Sequence, residues 1–461
     1  MLFNSLQFWA FFALVYTLYR VSGHRWQNRL LLGASYLFYG AWDWRFLFLL
    51  AASTVVDFIC AAHIHRSDAP RVRKFYLWVS IGFGLTVLGF FKYFNFFAES
   101  LSRLAEFFGL PLHPLLLNVV LPVGISFYTF QTMGYVIDVY RKRTPPAENI
   151  FDFALFVSFF PQLVAGPIER AGHLLPQILA PRTITREGLK TGAYLIFWGL
   201  FQKLFVADNL AGLVDPFFAS AAPYNGVGVL LAVYAFSFQI YCDFAGYSNI
   251  ARGLGLFMGF DLMVNFNLPF FSRNPRELWE RWHISLAQWV RDYVYAPTRS
   301  VLATMALVGL WHGAAWTYIL WGLYHGTLLA LHRALASVRK PSERFTVLKI
   351  LGFFHLWCLG ALIFRSGSLT QLAEMLSGLL FRFTPQAGSW KTVLSLAYFT
   401  FFLLAVETVQ FKKKDLLVFR KWPLPVKTIF VLCALYLMLY VEILGKFSDN
   451  GGSRAFIYFQ F

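Results

Sequence analysis

The stretch Leu310-Trp-His-Gly-Ala-Ala-Trp316 places a histidine and three small residues inside an apolar run, and Trp321-Gly-Leu-Tyr-His-Gly326 follows closely. An ionisable side chain in such a run is costly to desolvate, so its default interpretation is functional. Gly313-Ala-Ala315 permits a tight turn between two short helices. The stretch therefore predicts two helices joined inside a membrane, with His312 held deep at the joint.

The composition around this stretch is that of a polytopic membrane protein. Hydrophobic residues make up 58% of the chain, charged residues 14%, and the mean hydropathy is +0.56. The apolar runs are continuous, without two-residue alternation, which favours helices over a barrel. We predict an all-α transmembrane bundle of about 11–12 spans, with re-entrant and interfacial helices, around a central tunnel. The predicted spans cover residues 5–20, 28–41, 46–62, 75–97, 119–139, 189–210, 227–243, 301–312, 315–332, 350–365, 389–408 and 427–445.

We expect one integral-membrane domain over residues 1–461, with N-terminal spans in 1–143, a catalytic core in 144–345 and C-terminal spans in 346–461. Within the core, Phe160-Pro-Gln-Leu-Val-Ala-Gly-Pro167 interrupts the apolar run 151–176 with two prolines and a glycine. Irregular backbone at membrane depth is tolerated where protein surrounds it, so this run is predicted to be re-entrant.

The formal charge of +17 comes from lysines and arginines in short loops between apolar runs. That placement is the positive-inside pattern of membrane proteins and excludes a nucleic-acid-binding interpretation. It places the basic loops in the cytoplasm and both termini outside. Four cysteines lie in hydrophobic segments without metal-ligand spacing, so neither a disulfide nor a metal site is predicted.

Polar residues also interrupt the apolar run 237–250, which contains Ser237, Gln239 and Asp243. Gln239 and Asp243 are four residues apart and share one face of a helix. An intramembrane aspartate needs a partner, and we expect an arginine or a helix N-terminus to provide it. The role of Asp243 is either structural or substrate-facing. Gln131, in the earlier run 121–131, is long enough to reach a ligand.

Residues 274–293 are the most charged stretch of the chain, and their apolar aromatic residues recur every three or four positions. Asn274 before Pro275 is a good N-cap for a helix. One interpretation is an amphipathic helix at the cytoplasmic interface. The other is that Arg281, Arg291 and a third nearby arginine bind the phosphates of a nucleotide-bearing donor such as coenzyme A.

The motifs, taken together and in order, resemble the membrane-bound O-acyltransferase family and, within it, the bacterial alginate O-acetyltransferase branch. They are Leu121-Pro-Val-Gly-Ile-Ser-Phe-Tyr-Thr-Phe-Gln131, Ala165-Gly-Pro167, Tyr241-Cys-Asp-Phe-Ala-Gly-Tyr-Ser248, Arg281-Trp-His-Ile-Ser-Leu286 and Leu310-Trp-His-Gly313. The resemblance implies transfer of an acyl group, usually acetyl from acetyl-CoA, across a bacterial inner membrane to an extracytoplasmic polysaccharide. It also implies that His312 and His283 are the site histidines, and that a separate extracytoplasmic acyltransferase or acceptor protein completes the pathway.

The chemistry that follows is general-base catalysis by His312, which takes the proton of an attacking hydroxyl. His283 would orient the acyl donor or assist proton transfer, and Gln239 or Ser237 would bind the oxyanion. Further candidate donor-binding residues are Asp243, Arg281, Arg291 and Trp311. Acetyl-CoA is expected as a substrate, with no bound cofactor.

Two alternatives remain open from the sequence. One lies within the same family: acylation of teichoic acid or peptidoglycan. The other is a transporter or export channel in which Asp243 and His312 bind a coupling ion. His325 is expected to be structural and His332 interfacial.

Overall fold

The computed structural model describes residues 1–110, 112–118, 120–221, 223–336, 345–447, 456 and 457. All regular secondary structure of these residues is helical, which confirms the predicted all-α class. The chain forms two compact units. The first contains residues 1–189 and 254–263, and the second contains 190–253 and 264–461.

The first unit is built from nine helices among the described residues. They are α1 (Leu6–Val21), α2 (His24–Gly40), α3 (Phe46–Arg66), α4 (Pro70–Leu88), α5 (Phe94–Phe107), α6 (Ile125–Tyr140), α7 (Ile150–Ser158), α8 (Phe160–Leu163) and α9 (Ala171–Leu179). A π-helical turn at Gly89–Tyr93 joins α4 to α5, so the apolar helix continues over 38 residues.

The second unit holds most of α10 (Arg186–Leu200) and α12 (Gly226–Phe257), together with α11 (Asp208–Ala219) and every helix that follows α12. The helices that follow α12 are α13 (Pro275–Trp279), α14 (Ile284–Val290), α15 (Ala296–Thr298), α16 (Val301–His312), α17 (Trp316–Ala336), α18 (Thr346–Arg365), α19 (Leu369–Phe381), α20 (Ser389–Lys413) and α21 (Leu424–Phe447). Short π-helical segments lie at Phe201–Ala207 and Arg291–Tyr295, and 3₁₀ turns at Pro269–Phe271 and Val418–Lys421.

Five helices of the described chain are long and apolar enough to cross a membrane. They are Phe46–Arg66, Pro70–Phe107, Gly226–Phe257, Thr346–Arg365 and Ser389–Lys413. The protein is therefore an integral membrane protein. Two other predicted spans contain short helices: the span at 119–139 becomes a helix only at Ile125, and α16 has 12 residues, as the predicted span 301–312 did. Helices this short do not cross about 30 Å of hydrocarbon alone.

The predicted break in residues 151–176 is present, because α7 ends at Ser158 and the short α8 ends at Leu163. Gly124 has a φ of 77°, and a Cβ there would lie 2.8 Å from the Leu163 carbonyl oxygen. Gln131 Nε2 donates to the Phe156 carbonyl oxygen at 2.7 Å. Gln131 therefore supports the broken backbone, and it is placed structurally rather than at a ligand.

Helices α16 and α17 form a closely packed hairpin around the predicted turn at Gly313–Ala315. Gly309 and Gly322 make the close approach possible. A Cβ at Gly309 would lie 2.1 Å from the Tyr318 carbonyl oxygen, and one at Gly322 would lie 2.1 Å from the Met305 carbonyl oxygen. Small residues let helix backbones touch in this way, and the contact fixes His312 at the end of α16.

Candidate active site

His312 is the last residue of α16 and is only 4% exposed. Its imidazole meets the edges or faces of three aromatic rings. The ring centroids lie 4.9 Å from Trp311, 5.0 Å from Trp321 and 5.5 Å from Phe364. The hairpin supplies Trp311 and Trp321, and α18 supplies Phe364. The predicted deep placement of His312 is thus confirmed.

His283 is fully buried and has a left-handed backbone, with φ 43° and ψ 53°. This conformation is uncommon for a residue other than glycine and has to be held by its surroundings. Asn265 holds it. The Asn265 Oδ1 lies 3.1 Å from His283 Nδ1 and accepts from the Ser285 hydroxyl at 2.9 Å, and the Asn265 carbonyl oxygen accepts from the Ile284 N–H at 2.9 Å.

The prediction of one amphipathic helix over residues 274–293 is therefore wrong. Asn274 does cap α13, because its side chain accepts from the Glu277 N–H at 2.9 Å. However, α13 ends at Trp279, and α14 starts after His283. The pairing of the chain around Asn265 with the backbone around His283 replaces helical hydrogen bonds at this point.

Burial lowers the pKa of His283 to about 3, because the charged imidazolium loses its hydration there. His283 is therefore neutral at physiological pH. Its ring lies 4.6 Å from that of Phe244 and 6.1 Å from that of Trp311. Trp311 thus lies near both site histidines.

His325 extends the same group of rings. Its centroid lies 4.9 Å from Trp321, 5.6 Å from Trp279 and 5.9 Å from Trp357. The predicted structural role of His325 is not supported by a hydrogen bond, because neither ring nitrogen has a partner among the described residues. We refer to the following seven residues as the tryptophan–histidine cluster: Trp279, Trp311, Trp321, Trp357, His283, His312 and His325.

A cavity of about 580 Å³ opens beside the cluster. Its walls come from α13, α14, α16 and α17, and its volume is typical of small-molecule sites. Arg276, Arg291 and Arg333 line it, while Trp279 and Val308 lie on its apolar part. Other lining residues are Ile284, Leu286, Val290, Tyr295, Met305, Leu329 and His332.

The cavity reaches close to His312 along α16. Val308 lines the cavity and precedes His312 by four residues, which places the two on one face of the helix about 6 Å apart along its axis. Trp279 also lines the cavity, and its ring lies 6.0 Å from that of Trp321, which contacts His312. Trp279 is thus the member of the cluster that lines the cavity, and His312 lies behind this wall.

The sequence resembles known proteins over most of its length. Residues 147–370 match the membrane-bound O-acyltransferase (MBOAT) family. The chain is 42% identical to the "Probable alginate O-acetylase AlgI" of Pseudomonas putida, over 85% of this chain and 81% of that protein. The chain belongs to the membrane-bound O-acyltransferase family. This MBOAT chain is an O-acyltransferase, and the alternative of a transporter is set aside.

Three further relatives carry the same name or names for other polymers. The "Probable alginate O-acetylase AlgI" of Pseudomonas aeruginosa is 42% identical over 85% of this chain and 76% of that protein. The "Peptidoglycan O-acetyltransferase" of Helicobacter pylori is 32% identical over 75% of this chain and 72% of that protein. The "Teichoic acid D-alanyltransferase" of Bacillus subtilis is 31% identical over 54% of this chain and 69% of that protein.

Asp243 of this MBOAT chain finds a partner other than the expected arginine or helix N-terminus. Its Oδ1 lies 2.6 Å from Lys203 Nζ, and Lys203 also contacts Asp208 at 2.8 Å. The π-helical segment Phe201–Ala207 positions this buried lysine. Asp243 Oδ2 also accepts from the Ile457 N–H at 2.5 Å. The structural role of Asp243 is therefore the one that the contacts support.

The remaining predicted donor-binding residues divide into two groups. Arg291 lines the cavity and Trp311 lies near both site histidines. Ser237 instead lies 3.6 Å from Cys358 Sγ, and Arg281 pairs with Glu277 at 3.0 Å. Among the described residues, neither Ser237 nor the buried Gln239 hydrogen-bonds to a site histidine.

Sequence reasoning missed Asn265 and Trp357. Both lie outside the motifs that drew attention to the histidines. The signal for Asn265 was present, since the segment Asn265-Phe-Asn267 places two amides in an otherwise apolar stretch. Trp357 lies in α18, in a simple apolar span, and nothing local distinguishes it from a core residue.

Proposed function

We propose that this O-acyltransferase takes an acetyl group from acetyl-CoA on the cytoplasmic side of a bacterial inner membrane and passes it to O-acetylation of an extracytoplasmic polysaccharide. The observation that carries the proposal is the cavity whose wall reaches one helical turn from His312. A donor bound there would bring its thioester to the buried imidazole.

The cavity suits a coenzyme A donor in both charge and polarity. Arg276, Arg291 and Arg333 line the cavity with guanidinium groups, whose chemistry suits phosphates. Arg276 pairs with Glu280 at 3.0 Å, Arg291 pairs with Asp292 at 2.9 Å, and Arg333 donates to the Tyr295 hydroxyl at 3.0 Å. Phosphates would therefore have to compete for these guanidinium groups. Met305 and Val308 line the apolar part nearer to His312, where a short acyl group would lie. The same binding mode requires no resident cofactor, because acetyl-CoA is consumed as a substrate.

His312 acts as the general base in the proposed reaction. Its neutral imidazole takes the proton of an acceptor hydroxyl while that oxygen forms a bond to the thioester carbonyl carbon. The carbon–sulfur bond then breaks, and the thiolate of coenzyme A leaves and collects a proton. The acceptor oxygen carries the acetyl group away as an ester.

His283 supports this reaction as a neutral hydrogen-bonding group. Its very low pKa makes it a poor proton shuttle at physiological pH, so the orienting role is favoured over proton transfer. The Trp311 ring lies near the rings of both His283 and His312. We infer that the pair of histidines positions the donor on one side and activates the acceptor on the other.

The acceptor side is inferred from the relatives. Two of them are named for alginate and one for peptidoglycan, all polymers outside the cytoplasm. A separate extracytoplasmic acyltransferase or acceptor protein would complete the transfer, and both termini of this chain would lie on that side. Alginate or a similar exopolysaccharide is the first candidate, since those relatives share the higher identity. Peptidoglycan or teichoic acid acylation is the alternative within the family.

The test compares a deletion strain complemented with wild type, His312→Ala or His355→Ala. His355 is an exposed histidine of α18 that serves as the matched control. We expect His312→Ala to lower ester-linked acetate on exported polymer by roughly 10²- to 10⁴-fold, the value of a general base. His355→Ala should retain it. Acetate released by mild alkali is measured by mass spectrometry, and wild-type levels with His312→Ala contradict the proposal.

A further inference from the structure

Polar atoms without hydrogen-bond partners are concentrated in one part of the tryptophan–histidine cluster. Among the described residues, no partner is present for Trp279 Nε1, Trp357 Nε1 or either ring nitrogen of His325. Folded proteins pair nearly all such buried atoms, because an unpaired one costs about 1–3 kcal/mol. Several together indicate that a ligand pairs with them during function.

These three side chains lie against one another. The Trp279 and His325 ring centroids are 5.6 Å apart, and those of His325 and Trp357 are 5.9 Å apart. His325 is 0% exposed and Trp357 is 4% exposed. Gly360 leaves room for the imidazole, since a Cβ there would lie 2.7 Å from His325 Nε2. The four unpaired nitrogens of Trp279, Trp357 and His325 thus belong to a group of side chains that pack together.

The group adjoins the cavity and the base. Trp279 is itself part of the cavity wall. Trp321 lies between the group and His312, with centroid distances of 4.9 Å to His325 and 5.0 Å to His312. Trp279 therefore brings the group to the cavity wall, and Trp321 brings it into contact with the ring of His312.

The N–H donors of this group suit an oxygen atom on which negative charge develops. Two indoles and a neutral imidazole each present one N–H donor. When a hydroxyl adds to a thioester, the carbonyl oxygen becomes an oxyanion, and its charge passes back as the thiolate leaves. Preorganised N–H donors in a water-excluded site stabilise that oxygen more than the starting carbonyl. Ser237, predicted for this role, is occupied by Cys358 instead.

We propose that His325 and Trp279, with Trp357 behind them, form the oxyanion-binding site for the acyl donor. The proposal rests on the acetyl-CoA-dependent reaction proposed above. It assigns a catalytic function to His325 and to one tryptophan of the cavity wall. The donors act on the thioester oxygen, whereas His312 acts on the acceptor proton.

The test uses two variants that remove a donor and leave a large apolar side chain: Trp279→Phe and His325→Leu. Trp282→Phe is the matched control, because Trp282 is a buried tryptophan of the same segment whose indole nitrogen is not among the unpaired atoms. His325→Gln, which retains an N–H donor, tests for rescue. Initial rates of coenzyme A release are measured in native membrane vesicles over a range of acetyl-CoA concentrations.

We expect kcat to fall about 10-fold or more in Trp279→Phe and His325→Leu, with KM for acetyl-CoA within about twofold of wild type. Trp282→Phe should keep the wild-type kcat, and His325→Gln should recover part of it. A rise in KM at unchanged kcat, or wild-type kinetics in both donor-removing variants, overturns the proposal. The proposed function fails separately if wild-type vesicles release no more coenzyme A than His312→Ala vesicles.

Discussion

At the scale of single residues, one amide decides how His283 is presented. Asn265 accepts hydrogen bonds from the Ser285 side chain and lies against His283, whose backbone is left-handed. The sequence identified His283 through its motif, but helical periodicity placed it on a continuous helix. The partner responsible lies 18 residues earlier. Local periodicity contains no information about such a contact, so the orientation of His283 was not predictable.

The burial of His283 predicts a pH dependence of stability. Its pKa falls from 6.5 to about 3 on folding, so below pH 6.5 the unfolded chain binds a proton that the native state does not. Native stability then decreases as the pH falls, by up to about 1.4 kcal/mol per pH unit for one proton. His283→Asn tolerates the left-handed backbone and cannot take up that proton.

We therefore expect the loss of Tm between pH 7 and pH 5 to be smaller in His283→Asn than in the wild type. Thermal unfolding of the purified protein in detergent gives the measurement. His355→Asn, at an exposed position, should retain the wild-type loss. Equal losses in the wild type and His283→Asn would show that this histidine is not the neutral group described.

At the scale of elements, the α16–α17 hairpin positions the base. The sequence predicted both helices and the turn between them, because Gly313–Ala315 permits a tight turn in an apolar run. The backbone contact between Gly309, Gly322 and the facing carbonyl groups was not predictable from either helix alone. A glycine inside a helix is recognisable in sequence, but its facing partner is not.

The close contact between α16 and α17 can be tested by replacing one of its glycines with alanine, which adds a methyl group. Gly322→Ala places a Cβ 2.1 Å from the Met305 carbonyl oxygen, so the helices must separate and His312 must move. We expect a lower Tm and lower acyl transfer. Gly352→Ala is the control, since a Cβ there meets nothing within 4 Å and alanine favours a helix by about 1 kcal/mol. A Gly322→Ala protein as stable and active as Gly352→Ala would refute the close contact.

The buried ion pair between Asp243 of α12 and Lys203 of the neighbouring π-helical segment leads to a second prediction at the scale of elements. Lys203 is paired with Asp243 and Asp208, and all three lie away from the cavity. Removal of one partner of a buried pair costs about 3–5 kcal/mol, whereas an exposed pair contributes at most about 1 kcal/mol. Asp243→Asn should therefore unfold at a much lower temperature than Asp215→Asn, whose partly exposed carboxylate pairs with Arg365.

The double variant Lys203→Met with Asp243→Asn separates charge from packing. Once Lys203 is replaced, Asp243 is a buried charge without its lysine partner, and Asp243→Asn removes that charge. The loss of Tm in the double variant should therefore be smaller than the sum of the losses in the two single variants. Additive losses of Tm would mean that Lys203 and Asp243 stabilise the unit independently.

At the scale of the whole molecule, composition predicted an all-α membrane protein, and motif order predicted the family. The number of crossings was less predictable. Hydropathy counted the run 301–312 as a span, but α16 is too short to cross alone. The run 151–176, which was predicted to be re-entrant, is divided into three helices. Such segments are buried by protein rather than by lipid, and their residues are apolar in either case.

The positive-inside pattern predicts an orientation that cysteine labelling tests. The loop that contains Asp68 lies among arginines and a lysine and should be cytoplasmic, whereas Ser368 should be outside. In a protein without its four native cysteines, an impermeant maleimide should label Ser368→Cys in intact spheroplasts. Asp68→Cys should react only after permeabilisation. The opposite pattern would reverse the donor and acceptor sides.

The aromatic surroundings of His312 have a consequence for side reactions. A thioester held beside a base is hydrolysed if water reaches it, and the acetyl group is then lost as acetate. Trp311, Trp321 and Phe364 cover the imidazole and leave it 4% exposed. Water exclusion of this kind suppresses hydrolysis of a reactive donor. The rings around the base therefore favour transfer to a hydroxyl that enters the site over loss of the acetyl group to solvent.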